Sequence, residues 1–138
     1  MKYFKIIIIV LLFHNNLLAK TNYFDEGLSH YKKNEFEKAK FKFEQDLVFN
    51  PQSENAYLYL SKIFNAQKKK ELEEQNLNAV ILINPKNEEA LYNLANLKLT
   101  KSDYLESEKL INQLLTLCKS FCIKGKKLKI EIKKSLKK

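Results

Sequence analysis

Leu47-Val48-Phe49-Asn50-Pro51 and Ile81-Leu82-Ile83-Asn84-Pro85 are one short passage written twice, 34 residues apart. In each, three apolar residues run into Asn-Pro, which stops a helix because proline forces the residue before it out of the helical region. The residues after each proline recur as well. Ser53-Glu54 and Asn87-Glu88-Glu89 place a cap candidate and acids where a helix start favours both. Ala56-Tyr57-x-x-Leu60 and Ala90-Leu91-x-x-Leu94 keep the same spacing. Carried backward, the period sets Tyr23 and Gly27 in register with Tyr57 and Ser61. A fixed interval of this length marks a supersecondary unit that repeats.

Composition points the same way. The chain has 138 residues, enough for one domain or a short array with a modest core. It is 45% apolar and 30% charged, the balance of a folded chain rather than a disordered one. Two glycines and two prolines are too few for the turns of a multi-stranded β fold. Long stretches of Leu, Lys, Glu, Ala and Asn favour helices.

The period, together with the order of large and small residues, resembles the tetratricopeptide repeat family, whose unit is an antiparallel helix pair. In the first unit the order is Tyr23-x-x-x-Gly27, Tyr31, Phe36, Ala39, Phe43 and Pro51. In the third it is Leu91, Leu94, Ala95, Tyr104, Ser107, Ile111 and Leu114. Gly27 and Ala39 would let two helices approach closely while the aromatics fill the gaps between them. Asn34-x-x-Glu37 and Asp103-x-x-Glu106 read as capping pairs that open the second helix of their units. The second unit departs from the pattern: its turn is Gln67-Lys68-Lys69-Lys70, and Glu73 stands where a small residue belongs. Local loosening over residues 66–75 is the expectation there.

The resemblance covers residues 20–121 and implies an all-α, right-handed superhelical array of antiparallel hairpins with a C-terminal capping helix. Its parts would be a signal peptide or anchor (1–19), three repeats (20–53, 54–87, 88–121) and a basic capping helix or tail (122–138). Phe121-x-x-x-Gly125 echoes Tyr23-x-x-x-Gly27, so the last segment reads as one more helix that begins like a repeat. Cys118, Phe121, Gly125, Leu128 and Ile132 form its apolar stripe, and an array needs such a terminal cap.

The N-terminal segment reads as an address. Lys2 and Lys5 precede eight consecutive apolar residues (6–13), then His14-Asn15-Asn16 and Leu17-Leu18-Ala19. Eight is far short of the roughly 20 needed to span a bilayer, and the layout fits a secretory signal. Ala19 is the candidate residue before the cut, although Leu17 is larger than cleavage prefers. Without cleavage the segment would anchor the chain. Either outcome predicts export, to the periplasm or cell envelope.

The net charge of +9 is unevenly placed. Residues 20–123 balance fifteen lysines against fifteen acids, so the body is neutral. The excess lies in Lys124, Lys126, Lys127, Lys129, Lys133, Lys134, Lys137 and Lys138, with Glu131 the one acid among them. There is no arginine, so bidentate phosphate recognition is not available and no nucleic-acid partner is expected. These lysines read as a solvated outer face, or as a weak contact to an anionic membrane.

Cys118 and Cys122 are the only cysteines. A zinc site would need two more ligands, and the histidines are only His14 and His30, so no metal or other cofactor is expected. The cysteines are either two packed thiols or a disulfide, which export would favour. Residues four apart on a continuous helix hold Cβ atoms about 5–6 Å apart, too far to bridge, so a disulfide demands a turn over residues 119–121.

No catalytic constellation is present: there is no glycine-rich phosphate loop, no His-Glu metal motif and no nucleophile with a histidine and acid at known spacing. The expected role is therefore non-enzymatic. The family resemblance implies a concave groove lined by the first helix of each pair, holding a peptide segment of a partner protein. Here it would comprise Phe24, Leu28 and Tyr31, then Asn55, Leu58, Lys62 and Asn65, then Tyr92, Asn96 and Leu99. Such a mix suits a moderately apolar peptide with its backbone held by amides. The subclass that grips a C-terminal carboxylate would need a basic cluster where Phe24 and Leu28 stand. Two alternatives remain: a protein held at the envelope mainly by its basic end, and a small structural subunit whose groove another chain fills permanently.

Overall fold

A computed structural model describes residues 22–137; the signal-like segment and Lys138 lie outside them. The described residues form seven helices and no strand. They are α1 (Tyr23–Lys32), α2 (Phe36–Phe49), α3 (Glu54–Ala66), α4 (Lys70–Ile83), α5 (Glu88–Thr100), α6 (Tyr104–Leu117) and α7 (Cys122–Ser135). Each helix packs on the next, which makes three stacked hairpins, and α7 lies on α6 and α5. The fold is a tetratricopeptide-like array.

The three hairpin turns are copies of one another. Asn34, Lys68 and Ser102, spaced by the 34-residue period, all take the left-handed conformation, with φ of 60°, 58° and 61°. In each turn the next residue's N–H reaches back five positions: Glu35 to the His30 carbonyl, Lys69 to Phe64 and Asp103 to Lys98. This double-bonded ending satisfies the last helical carbonyls and requires positive φ at one residue.

Asn34 therefore does not cap α2. It terminates α1, a place its short amide tolerates, and Glu35 is the residue before α2, without a side-chain capping bond. Asp103 does cap, accepting from the Glu106 N–H at 3.4 Å, and Asn87 accepts from Ala90 at 2.8 Å.

The core follows the same register. Gly27, Ser61 and Ala95 are buried on the first helices, and Ala39, Glu73 and Ser107 on the second. Phe43, Leu77 and Ile111 are fully buried at equivalent places on the second helices. Gly27 faces the Phe43 ring so closely that a Cβ there would stand 2.7 Å from it. In the third unit Ser107 Oγ donates to the Ala95 carbonyl at 2.7 Å, a bond between the two helices.

The second unit keeps the hairpin geometry of the other two. Its turn has the same bonds as the others, and Glu73 is buried against α3, where its carboxylate accepts from Asn65 Nδ2 at 2.9 Å. That bond satisfies a group the sequence marks as misplaced, although burial still pushes its carboxyl up from the ordinary value. Gln67, in the turn, ties back to Glu37 of the first unit at 2.9 Å.

A periodic latch joins the second unit to the third and the third to α7. The Glu54 carboxylate, at the start of α3, accepts from the side-chain amides of Asn84 and Asn87, just before α5. Glu88, 34 residues on, accepts from the backbone N–H groups of Lys119, Ser120 and Phe121 at 2.8–2.9 Å. One carboxylate thus satisfies three amides at the start of α7, and those bonds, Phe121's foremost, hold it below its usual range.

Helix α7 starts in strict register with α3 and α5, since Glu54, Glu88 and Cys122 are each 34 apart. Phe121 accordingly takes the capping place of Ser53 and Asn87, and the echo of Tyr23 in Phe121 is one helical turn out of step. Gly125 has its own use: a Cβ there would meet the Leu114 and Leu115 methyls at 3.1 Å. Cys118 ends α6 and Cys122 begins α7, and the turn between them brings the Cα atoms to 5.3 Å and joins the sulfurs in a disulfide.

Two stability measurements check this architecture. Lys68→Gly, which relieves a left-handed lysine, is expected to stabilise the fold by about 0.5–1 kcal/mol in urea unfolding, whereas Gly27→Ala overpacks Phe43 and costs about 1–3 kcal/mol. Because Glu88 has a lowered folded pKa, its contribution is present above its ordinary value of 4.5 and is lost as pH falls through the folded pKa. Glu88→Gln should lower the melting temperature at neutral pH, and the gap to the wild type should close on acidification below that value.

Candidate functional site

The first helices of all three hairpins open onto one trough of about 490 Å³. Tyr31 of α1 forms one end, and Ser61, Lys62, Asn65 and Ala66 of α3 the middle. Glu89, Asn93 and Asn96 of α5 form the far wall, and Glu73 of α4 reaches the floor. Through Asn65, Glu73 and Asn96 the trough continues into a second depression lined by Lys68, Lys70, Leu97 and Thr100. Its size is that of a ligand site, roughly 300–1,000 Å³.

Fixed contacts shape the walls. Lys62 Nζ stands 4.7 Å over the Tyr59 ring and forms an ion pair with Glu89 at 2.9 Å, tying α3 to α5 across the trough. Tyr31 packs edge-on to Tyr59, with ring centroids 5.0 Å apart, and against Phe36. Behind the site Glu74 of α4 bridges Lys98 of α5 and Lys101 just past its end, each at 2.7 Å. Those bonds, led by the one from Lys101, hold the Glu74 carboxyl below its usual range. The trough is therefore built on α-helices locked to each other rather than on loops.

Of the ten groove residues expected from the sequence, Tyr31, Lys62, Asn65 and Asn96 line this trough. The others stand elsewhere. Leu58 is buried in the core between units, and Leu99 packs half-buried against the same cluster. Tyr92 turns toward the cap, its ring 5.6 Å from Phe121. Phe24 is spent on the rings of Phe43 and Tyr59. Leu28 lies in a separate shallow depression with Asp25, Ser29, Lys32 and Lys33, and Asn55 is exposed at the start of α3.

Ser61, Ala66, Glu73, Glu89 and Asn93 line the trough without having been expected there. Register holds the missing signal for two of them: Glu89 is equivalent to Asn55, and Asn93 to Tyr59, so the third unit uses positions whose equivalents do other work. The outcome is a wall more polar than the sequence implies. Glu73, Glu89 and Asn93 join the expected Lys62, Asn65 and Asn96 there, and none of the three expected leucines lines it.

His30 is not part of this site. Its Nδ1 contacts the Glu35 carboxylate across the first turn, and that bond, with a second from Lys38, holds Glu35 below its usual range. Among the described residues no group of three or more His, Cys, Asp and Glu side chains is placed to hold a metal ion. No described helix is long and apolar enough to cross a membrane.

No protein-family model matches the sequence, and no curated protein matches it by sequence. Solved structures do match by shape. The type III secretion translocator chaperone SycD of Yersinia enterocolitica superposes with a TM-score of 0.79 at 15% identity, covering 93% of this chain and 94% of that one. The first TPR of Spaghetti (RPAP3), bound to the HSP90 peptide SRMEEVD, gives 0.76 at 14% identity, covering 84% and 91%. The TPR2B domain of yeast Sti1, in complex with pHsp70, gives 0.72 at 13%, covering 79% and 91%. At these identities the likeness establishes the fold.

Proposed function

We propose that this chain is a non-enzymatic interaction scaffold of the periplasm or cell envelope, and that it holds an extended segment of a partner protein along the α1–α3–α5 trough. The observation that carries this is the convergence of Tyr31, Asn65, Asn93 and Asn96 from three separate hairpins on one open trough. Side-chain amides both donate and accept, so a row of them can pair with the backbone of an extended segment whatever its sequence. Specificity then comes from charge. Glu73 and Glu89 outnumber Lys62 at the trough's centre, while Lys68 and Lys70 stand at its turn-side end. A strongly acidic tail laid along the centre would meet both carboxylates, so a polar segment of low net charge suits this trough best.

Two further facts support this reading. The superposed RPAP3 and Sti1 arrays carry peptide or protein ligands, as does SycD in its complex with a peptide of the translocator YopD. Export is supported by the signal-like segment and by the Cys118–Cys122 disulfide, which persists in oxidising compartments.

Asn93→Ala/Asn96→Ala is the variant of choice, because Asn65 satisfies buried Glu73 and Tyr31 packs against the core. Peptides selected from a random library on the wild type should bind this variant about tenfold more weakly, with the melting temperature unchanged. Equal binding by the two proteins would rule the trough out as the site.

A further inference from the structure

The outward face of α7 carries an unusual arrangement. Gly125, Leu128 and Ile132 are buried against the third hairpin. Directly opposite, Ile123 and Ile130 stand in solvent with 73% and 56% of their surface exposed. They are seven residues apart, two helical turns, so they fall on one line along the outermost ridge. Lys126 and Lys133 run parallel to that ridge on one flank, and Lys127 and Lys134 on the other. All four are exposed, and no ion pair among the described residues engages them.

We infer that this ridge is a docking face for an anionic lipid bilayer, which α7 meets lying flat, its isoleucines between the headgroups and its lysines on the phosphates. The charge selects an anionic partner, since Glu131 is the only acid on the helix. The isoleucines select a lipid over a soluble polyanion. Nucleic acid or an acidic polymer offers phosphates or carboxylates but nothing to cover two apolar side chains. A bilayer surface takes both, in the manner of an interfacial helix whose lysine stems lie along the apolar ridge with their heads in the headgroup layer. Helix α7 is well placed for this because the array holds it as a preformed helix: Gly125 sits tight on Leu114, Glu88 clasps its start and the disulfide fixes the turn before it. No ordering of a disordered tail is then needed on binding. The proposal is independent of the trough, which lies on the first helices.

Co-sedimentation of the full chain with vesicles tests it. Vesicles of phosphatidylcholine alone report whatever the apolar stretch at residues 6–13 contributes, and vesicles containing phosphatidylglycerol report that plus the α7 face. Binding should be stronger to the second kind and fall steeply with salt. Ile123→Ser/Ile130→Ser should weaken the phosphatidylglycerol-dependent part about tenfold. Lys126→Gln/Lys127→Gln/Lys133→Gln/Lys134→Gln should abolish it. All six positions are exposed, so circular dichroism should be unchanged in both variants. The inference fails if the isoleucine variant binds like the wild type, which would make the face a charge reader alone. It fails equally if phosphatidylglycerol adds no binding.

Discussion

Everything in this molecule depends on how closely two helices can approach within a hairpin. That distance is set by Gly27, Ser61 and Ala95 on the first helices, facing second helices that carry Phe43, Leu77 and Ile111 at equivalent buried positions. A small residue on one side lets a large one enter from the other, and repetition every 34 residues gives each unit the same shape. Identical shapes stack in one way, so α1, α3 and α5 come to share a trough. The binding surface is a consequence of that packing rather than a separate feature.

The fold was legible because periodicity survives substitution. Asn50-Pro51 and Asn84-Pro85 end helices whatever surrounds them, and small and large residues follow the same order in the first and third units. The left-handed turn positions were less so. Lys68 and Ser102 occupy places glycine would fill, and nothing in their chemistry announces positive φ. Asn34 reads as a cap because asparagine serves both ends of helices, and only the turn's hydrogen bonds decide between them. Glu73 reads as a fault because its partner, Asn65, lies eight residues away on the other helix of the hairpin.

The site was half legible for a related reason. Register identifies which helix faces the trough, but not which side chains the packing between units removes from it. Leu58 and Leu99 go to the core and Tyr92 to the cap, while Asn93 and Glu89 turn inward. The Glu54 and Glu88 latches were hidden too, since a glutamate in the first turn of a helix has an ordinary explanation in the helix dipole. Only their shared spacing and distant partners reveal a second use, that of locking the second unit to the third and the third to α7.

Whether the stacked hairpins present one peptide-holding trough is tested most directly by mapping side-chain amide NMR shifts while a bound peptide is titrated in. Asn65, Asn93 and Asn96 are expected to move together and saturate at one stoichiometry, with the amides on α2, α4 and α6 little changed. Shifts concentrated on Gln45, Gln75, Asn76 and Asn112 of the second helices, with the three trough amides still, would contradict a trough-centred role.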